Sequence, residues 1–144
     1  MITVKEMLKD KTGGTLTISP QETVYKGLEV MAEKNLGALV VVKGEKVVGM
    51  FSERDYARNV ILKEKSSKTM LIKDLMNTKV CYVRPEQTLD ECLVLFTEKR
   101  VRHLPVLDGE KLVGIVSIGD AVKQYVADKE FTIRQLENYI SGDM

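Results

Sequence analysis

Two short stretches hold the residues best suited to chemistry: Ser52-Glu53-Arg54-Asp55 and Ser117-Ile118-Gly119-Asp120. Each places a carboxylate three residues after a hydroxyl. Each follows an apolar run that opens on glycine, Gly49-Met50-Phe51 and Gly114-Ile115-Val116. A helix that starts at such a serine points free amide donors outward and adds the hydroxyl to them, a combination that favours phosphate. A carboxylate one turn in suits the two hydroxyls of a ribose, because it accepts from both. The pattern therefore reads as a polarised site, with sugar at Asp55 or Asp120 and phosphate at the helix start. The same spacing is also a capping box, in which serine and carboxylate satisfy each other's backbone amides, and both readings can hold for the serine.

The two stretches differ in charge. Arg54 stands where the second has Gly119. An arginine there can grip a phosphate bidentately, or it can simply be a solvated residue in a first helical turn. Arg102-His103 is the other basic feature. His103 is the single histidine, and no nucleophile or metal partner lies near it in sequence to support a catalytic role.

Behind these motifs lies a repeat. At a fixed offset of 65 residues Pro20 falls on Pro85, Thr23 on Thr88, Leu39 on Leu104, and Gly44-Glu45-Lys46 on Gly109-Glu110-Lys111. The opening segments also match, Val4-Lys5-Glu6-Met7 on Ile72-Lys73-Asp74-Leu75, but at offset 68. A repeat of this length is a duplicated structural unit. Residues 1–62 are the first copy, 63–70 a polar and basic linker, 71–129 the second copy, and 130–144 a tail with no twin.

Each copy is expected to run β-α-β-β-α. Thr3 to Glu6 is a capping box opening a short helix. Leu16-Thr17-Ile18 is a short strand stopped by Pro20. Val24, Gly27, Leu28 and Met31 share one helical face, as do Leu89, Cys92, Leu93 and Phe96. Leu36 to Val42 is a nearly unbroken apolar run, read as a strand buried on both faces. Hairpins join it to Val47–Phe51, and Leu104–Leu107 to Leu112–Val116. Helices follow at Asp55–Ile61 and Asp120–Lys129. In the tail, Thr132 to Gln135 reads as a further capping box, opening a separate helix with Ile133, Leu136 and Ile140 on one face.

At 144 residues the chain is one domain's worth. Its 44% apolar and 30% charged residues are ordinary for a globular protein. A net charge of +1 gives no sign of a nucleic-acid or acidic-membrane partner. No apolar run approaches the ~18 residues of a membrane span, and the first residues do not read as a secretory signal. The cytoplasm is the expected compartment. Cys81 and Cys92 form no CxxC pair and read as reduced thiols. No metal cluster, nucleophile–base pair or Walker-type loop is evident.

A doubled β-α-β-β-α unit with G-h-h-S-x-x-D after each last strand, and RHLPV in the second copy, resembles the CBS domain pair, or Bateman module. The resemblance spans all but the tail. It implies an α/β (α+β) fold of two tandem repeats packed as one pseudo-two-fold module, plus a C-terminal helix. It also implies a non-catalytic sensor binding AMP, ADP, ATP or NAD in clefts between the copies and acting on an effector protein. Asp55 and Asp120 would hold ribose, and Ser52, Arg54, Ser117, Gly119 and Arg102 phosphate. By the resemblance the Asp120 site draws its adenine slot from Leu16, Leu36, Gly37 and Ala38. The Asp55 site draws its slot from Cys81, Tyr82, Val101 and His103, with Met50 and Ile115 against the bases. The rival reading is a constitutive interaction module whose sites have lapsed. Exposed apolar helix faces lead to the expectation of a homodimer.

Overall fold

The structure, a computed structural model, describes residues 1–9, 17–58 and 66–142. Leu16, the break at Gly13-Gly14, the first part of the linker and the end of the helix expected to reach Ile61 lie outside the described residues. The first copy contributes α1 (Val4–Lys9), β1 (Thr17–Ile18), α2 (Val24–Lys34), β2 (Ala38–Lys43), β3 (Lys46–Ser52) and α3 (Glu53–Tyr56). The second contributes a 3-10 turn at Ile72–Asp74, α4 (Leu89–Lys99), β4 (His103–Asp108), β5 (Lys111–Ser117) and α5 (Ile118–Ser141).

Local chemistry sets these boundaries. Thr23 caps α2 by accepting from the Lys26 amide at 3.1 Å, and Thr88 caps α4 in a reciprocal box with Glu91. Each hairpin turns on a two-residue loop whose first residue, Gly44 or Gly109, sits at φ +64, in the left-handed region that glycine enters without strain. Ala38, Leu39, Val40 and Val41 are all buried, so β2 is covered on both faces. Leu39 and Val41 join Val24, Met31 and Phe51 in one core, while Leu104, Val106, Cys92 and Phe96 build the other.

The first sheet has three strands in the order β1-β2-β3, with β1 parallel to β2. The second has two, and the strand expected before α4 is reduced to one parallel bridge, Val83 with Val106. Pro105 explains the difference. It stands where the first copy has Val40, and without an N–H it cannot extend the ladder back towards Cys81. The bonds that remain are Val83 N to Pro105 O and Leu107 N to Val83 O.

The opening segments are exchanged between the copies. Val4 and Met7 are buried in the second copy's core, and Ile72 and Leu75 in the first copy's. Matching backbone bonds zip each segment in place. The Val4 amide donates to Gln87 and that of Lys5 to Pro85, while those of Ile72 and Lys73 donate to Glu22 and Pro20. Gly49 and Gly114 make this possible. A Cβ on Gly49 would stand 2.8 Å from Met76 Sδ and 3.0 Å from the Asn77 carbonyl, and one on Gly114 2.7 Å from Leu8 Cδ2.

The C-terminal region also differs from expectation. A single 24-residue helix, α5, runs from Ile118 through Ser141. No glycine or proline interrupts residues 120–141, and Gly142 in the left-handed region ends the helix. Thr132 is not a cap. Its hydroxyl donates to the Asp128 carbonyl one turn back.

Candidate functional site

Both serine–aspartate motifs sit at a strand-to-helix junction, β3 into α3 and β5 into α5. In the first, Asp55 Oδ2 accepts from the Ser52 amide at 3.1 Å and from its hydroxyl at 3.0 Å, while Ser52 Oγ accepts from the Asp55 amide at 3.2 Å. The Ser117–Asp120 pair is built in the same way. The capping reading is thus satisfied in both copies, and at Asp55 it uses one carboxylate oxygen and leaves Oδ1 able to accept from a ligand.

The helix starts offer less than expected. The Glu53 amide already donates to the Gly37 carbonyl at 3.1 Å, and the Ile118 amide to Arg102 at 2.9 Å. With the third-position amides of both helices taken by the serine hydroxyls, little of a phosphate cradle is left in the backbone. Any anion held here must be held mainly by side chains.

Those side chains converge at Asp55. A cleft of about 240 Å³ runs between the copies, just below the ~300–1,000 Å³ typical of small-molecule sites. The first copy lines it with Gly37, Ala38, Met50 and the Ser52–Asp55 turn. The second lines it with Asn77, Lys79, Val80, Cys81 and Arg100 to His103. Arg54, Lys79, Arg100 and Arg102 outnumber the carboxylates Glu53 and Asp55, an excess of two positive charges. Met50, Ala38, Val101 and Cys81 supply an apolar wall. The imidazole of His103 lies over Gly37, with Cε1 3.5 Å from where a Cβ there would be.

Most residues expected around Asp55 are therefore brought together. Gly37 and Ala38, expected in the Asp120 site, line this cleft instead, because Ala38 pairs with Ser52 across β2 and β3. Tyr82 lies outside it. In extended backbone it faces away from its neighbours Cys81 and Val83, and its ring sits 5.0 Å beneath the Arg84 guanidinium. Leu36 packs on the first core. Ser117, Gly119, Asp120 and Ile115 do not line the cleft.

Lys79 and Arg100 are cleft residues that motif reasoning overlooked. Arg100 had a detectable signal. It ends α4 at φ 54, aligned with Asn35, which ends α2 at the same φ. Asparagine enters the left-handed region at lower cost than arginine. The Arg100 carbonyl also accepts from Arg54 Nη1 at 3.4 Å, so the two arginines join the copies at the rim.

The family model for the CBS domain matches residues 3–61 and again residues 72–127. The chain belongs to the CBS-domain family. Among its relatives is the mitochondrial CBS domain-containing protein CBSX3 of Arabidopsis thaliana, 36% identical over 149 residues, covering 97% of this chain and 72% of that protein. A solved protein with CBS domains from Burkholderia ambifaria MC40-6 superposes with a TM-score of 0.84 at 50% identity, covering 88% of this chain and 95% of that one. CBSX2, solved in complex with AMP, superposes with a TM-score of 0.71 at 26% identity, covering 90% and 99%. Each CBS match begins at an opening segment, so the contiguous family unit includes the piece that packs on its neighbour.

Proposed function

We propose that this CBS pair is a non-catalytic sensor that binds an adenosine mononucleotide in the cleft at Asp55 and signals to a partner protein as a homodimer. The observation that carries the reading is the cleft, where the Ser52–Asp55 turn of one copy faces the Lys79, Arg100 and Arg102 cations of the other. Asp55 Oδ1 takes the ribose hydroxyls. Arg54, Lys79 and Arg102 take the phosphates through charge-assisted bonds. The base lies between Met50 and Ala38 on one side and Val101 and Cys81 on the other. The AMP complex of CBSX2 supports this chemistry, and the size of the cleft favours AMP, ADP or ATP over the larger NAD. A ligand held by both copies changes how they sit against each other, and this is the signal a partner would read.

The completeness of the two capping boxes is what favours the rival reading of a constitutive interaction module with lapsed sites. One experiment decides between them. Ligand at ~100 times its dissociation constant stabilises by about 2.7 kcal/mol, worth roughly 5–10 °C in a chain of this size. Asp55→Asn retains an acceptor for the cap but loses the second carboxylate oxygen, so it should fold and lose most of the shift. No shift in wild type with AMP, ADP or ATP refutes the sensor reading. Steady hydrolysis of any of the three refutes the non-catalytic one.

A further inference from the structure

From Tyr125 to Gly142 every residue of the chain is exposed. The second half of α5 is an arm, and the helix as a whole is about 36 Å long at 1.5 Å per residue. Along it Val122, Val126, Lys129, Ile133, Leu136 and Ile140 recur at alternating spacings of four and three. This is the a/d seam of a two-stranded helix pair. Its apolar members are 48–83% exposed. Lys129 lies on the same face, its ammonium 5.1 Å from the Tyr125 ring.

We propose that a second copy of this chain covers the seam with its own α5, in antiparallel order. This rests on the homodimer reading above and specifies how the copies join. Charge decides the direction. In parallel order Lys129 faces Lys129 of the second copy across the axis, like charge on like. In antiparallel order Ile140 covers Val122 of the second copy and Val126 covers Leu136. Lys123 then lies beside Glu137 of the second copy, and the two Glu130 residues that meet at the centre are each flanked by Lys129 of the second copy. The arms alone bury too little surface. A seam roughly 10 Å wide along this helix falls well short of the ~800 Å² per partner of a stable dimer. Antiparallel order lays each arm over the root of the second copy's α5, which α1, α4 and β5 flank, and so adds module surface to the contact.

The test uses the full chain with Cys81→Ser, since Cys92 is buried. Val122→Cys combined with Ile140→Cys should oxidise to a covalent dimer, and Ile140→Cys alone should not. Within one chain these positions are too far apart to bond. Lys129→Glu should weaken the dimer at equilibrium sedimentation. Leu136→Asp, at a position 57% exposed in the arm, should weaken it at least about tenfold without changing the circular dichroism. A covalent dimer from Ile140→Cys alone overturns the antiparallel order. A dimer indifferent to Leu136→Asp overturns α5 as the interface. A wild-type monomer at micromolar concentration overturns the homodimer itself, leaving nucleotide binding untouched.

Discussion

Arg100→Asn should make this protein more stable and a poorer nucleotide binder at once. Arg100 sits at φ 54 and ψ 40, a conformation that costs an ordinary residue about 1–2 kcal/mol. The equivalent residue of the first copy is Asn35, at φ 54 and ψ 51, and asparagine adopts that geometry at lower cost. The side chain is exposed and makes no described bond of its own; the interaction with Arg54 uses the backbone carbonyl, which any residue supplies. Relief of roughly half the strain, about 0.5–1 kcal/mol, raises Tm by about 1–4 °C at this chain length. The cleft loses one of four cations. A charge-assisted bond contributes ~1.5–3 kcal/mol when well formed, and solvent at the rim reduces that to about 1 kcal/mol, roughly a fivefold loss in affinity. Thermal melts without ligand and titration calorimetry with AMP and ATP read the two effects separately. ATP should lose more than AMP, since more phosphate charge meets fewer cations. If Arg100→Asn lowers Tm, or leaves both affinities unchanged, the strained arginine is not held in place for the ligand and the reasoning fails.

Four further outcomes follow from the structure. Gly114→Ala should cost ~1–3 kcal/mol by overpacking Leu8 and should be largely rescued by Leu8→Ala in denaturant titrations. Gly49→Ala should cost more and resist rescue by Met76→Ala, because the Asn77 carbonyl also stands in the way and is fixed by its bridge to Met50. Burial, with a lesser contribution from the Glu91 charge, pushes the Cys92 thiol up to about 11 from an ordinary value of 9.0. An acid whose folded pKa is raised holds its proton while the unfolded chain ionises. Its contribution is therefore complete below pH ~9 and is lost between pH ~9 and ~11, on the order of 2–3 kcal/mol. Urea midpoints at pH 8 and 10.5 should show that loss in wild type but not in Cys92→Ala, and parallel slopes for the two proteins would refute it. Cys81, half-buried in the cleft, should react with a thiol reagent in the native protein and be protected by AMP, whereas Cys92 should react only on unfolding; an unprotected Cys81 would place the nucleotide elsewhere.

The doubled architecture was legible because identical spacing at Pro20 and Pro85, Thr23 and Thr88, and the two glycine hairpins leaves little alternative. The capping boxes were legible because they are local. What a chain places far away is harder to read. Val4-Met7 and Ile72-Leu75 have the same pattern, and nothing in either tells which copy's core will receive it. The lost strand beside Val83 depended on one proline in a different strand. The unity of α5 was hidden by Thr132 and Gln135, whose cap spacing is outweighed by twenty-two uninterrupted helix-compatible residues from Asp120 to Ser141. In the site, Asp55, Arg54, Arg102 and His103 stood out by motif. Lys79 lay in an unremarkable polar stretch, and Arg100 needed the comparison with Asn35.

The exchange of opening segments sets the size of the smallest piece that can be inherited or engineered. A fragment cut after residue 58 would keep α1 with no surface to lie on, and its own core would lack Ile72 and Leu75. The complementary fragment would have an empty slot where Val4 and Met7 belong. Neither could be transplanted into another protein as a finished module. The two halves supplied as separate chains would instead be expected to find each other, since each already has the plug for the other's opening. A fusion partner joined before Thr3 is attached, in mechanical terms, to the second repeat, and a movement of that repeat reaches it without crossing the first.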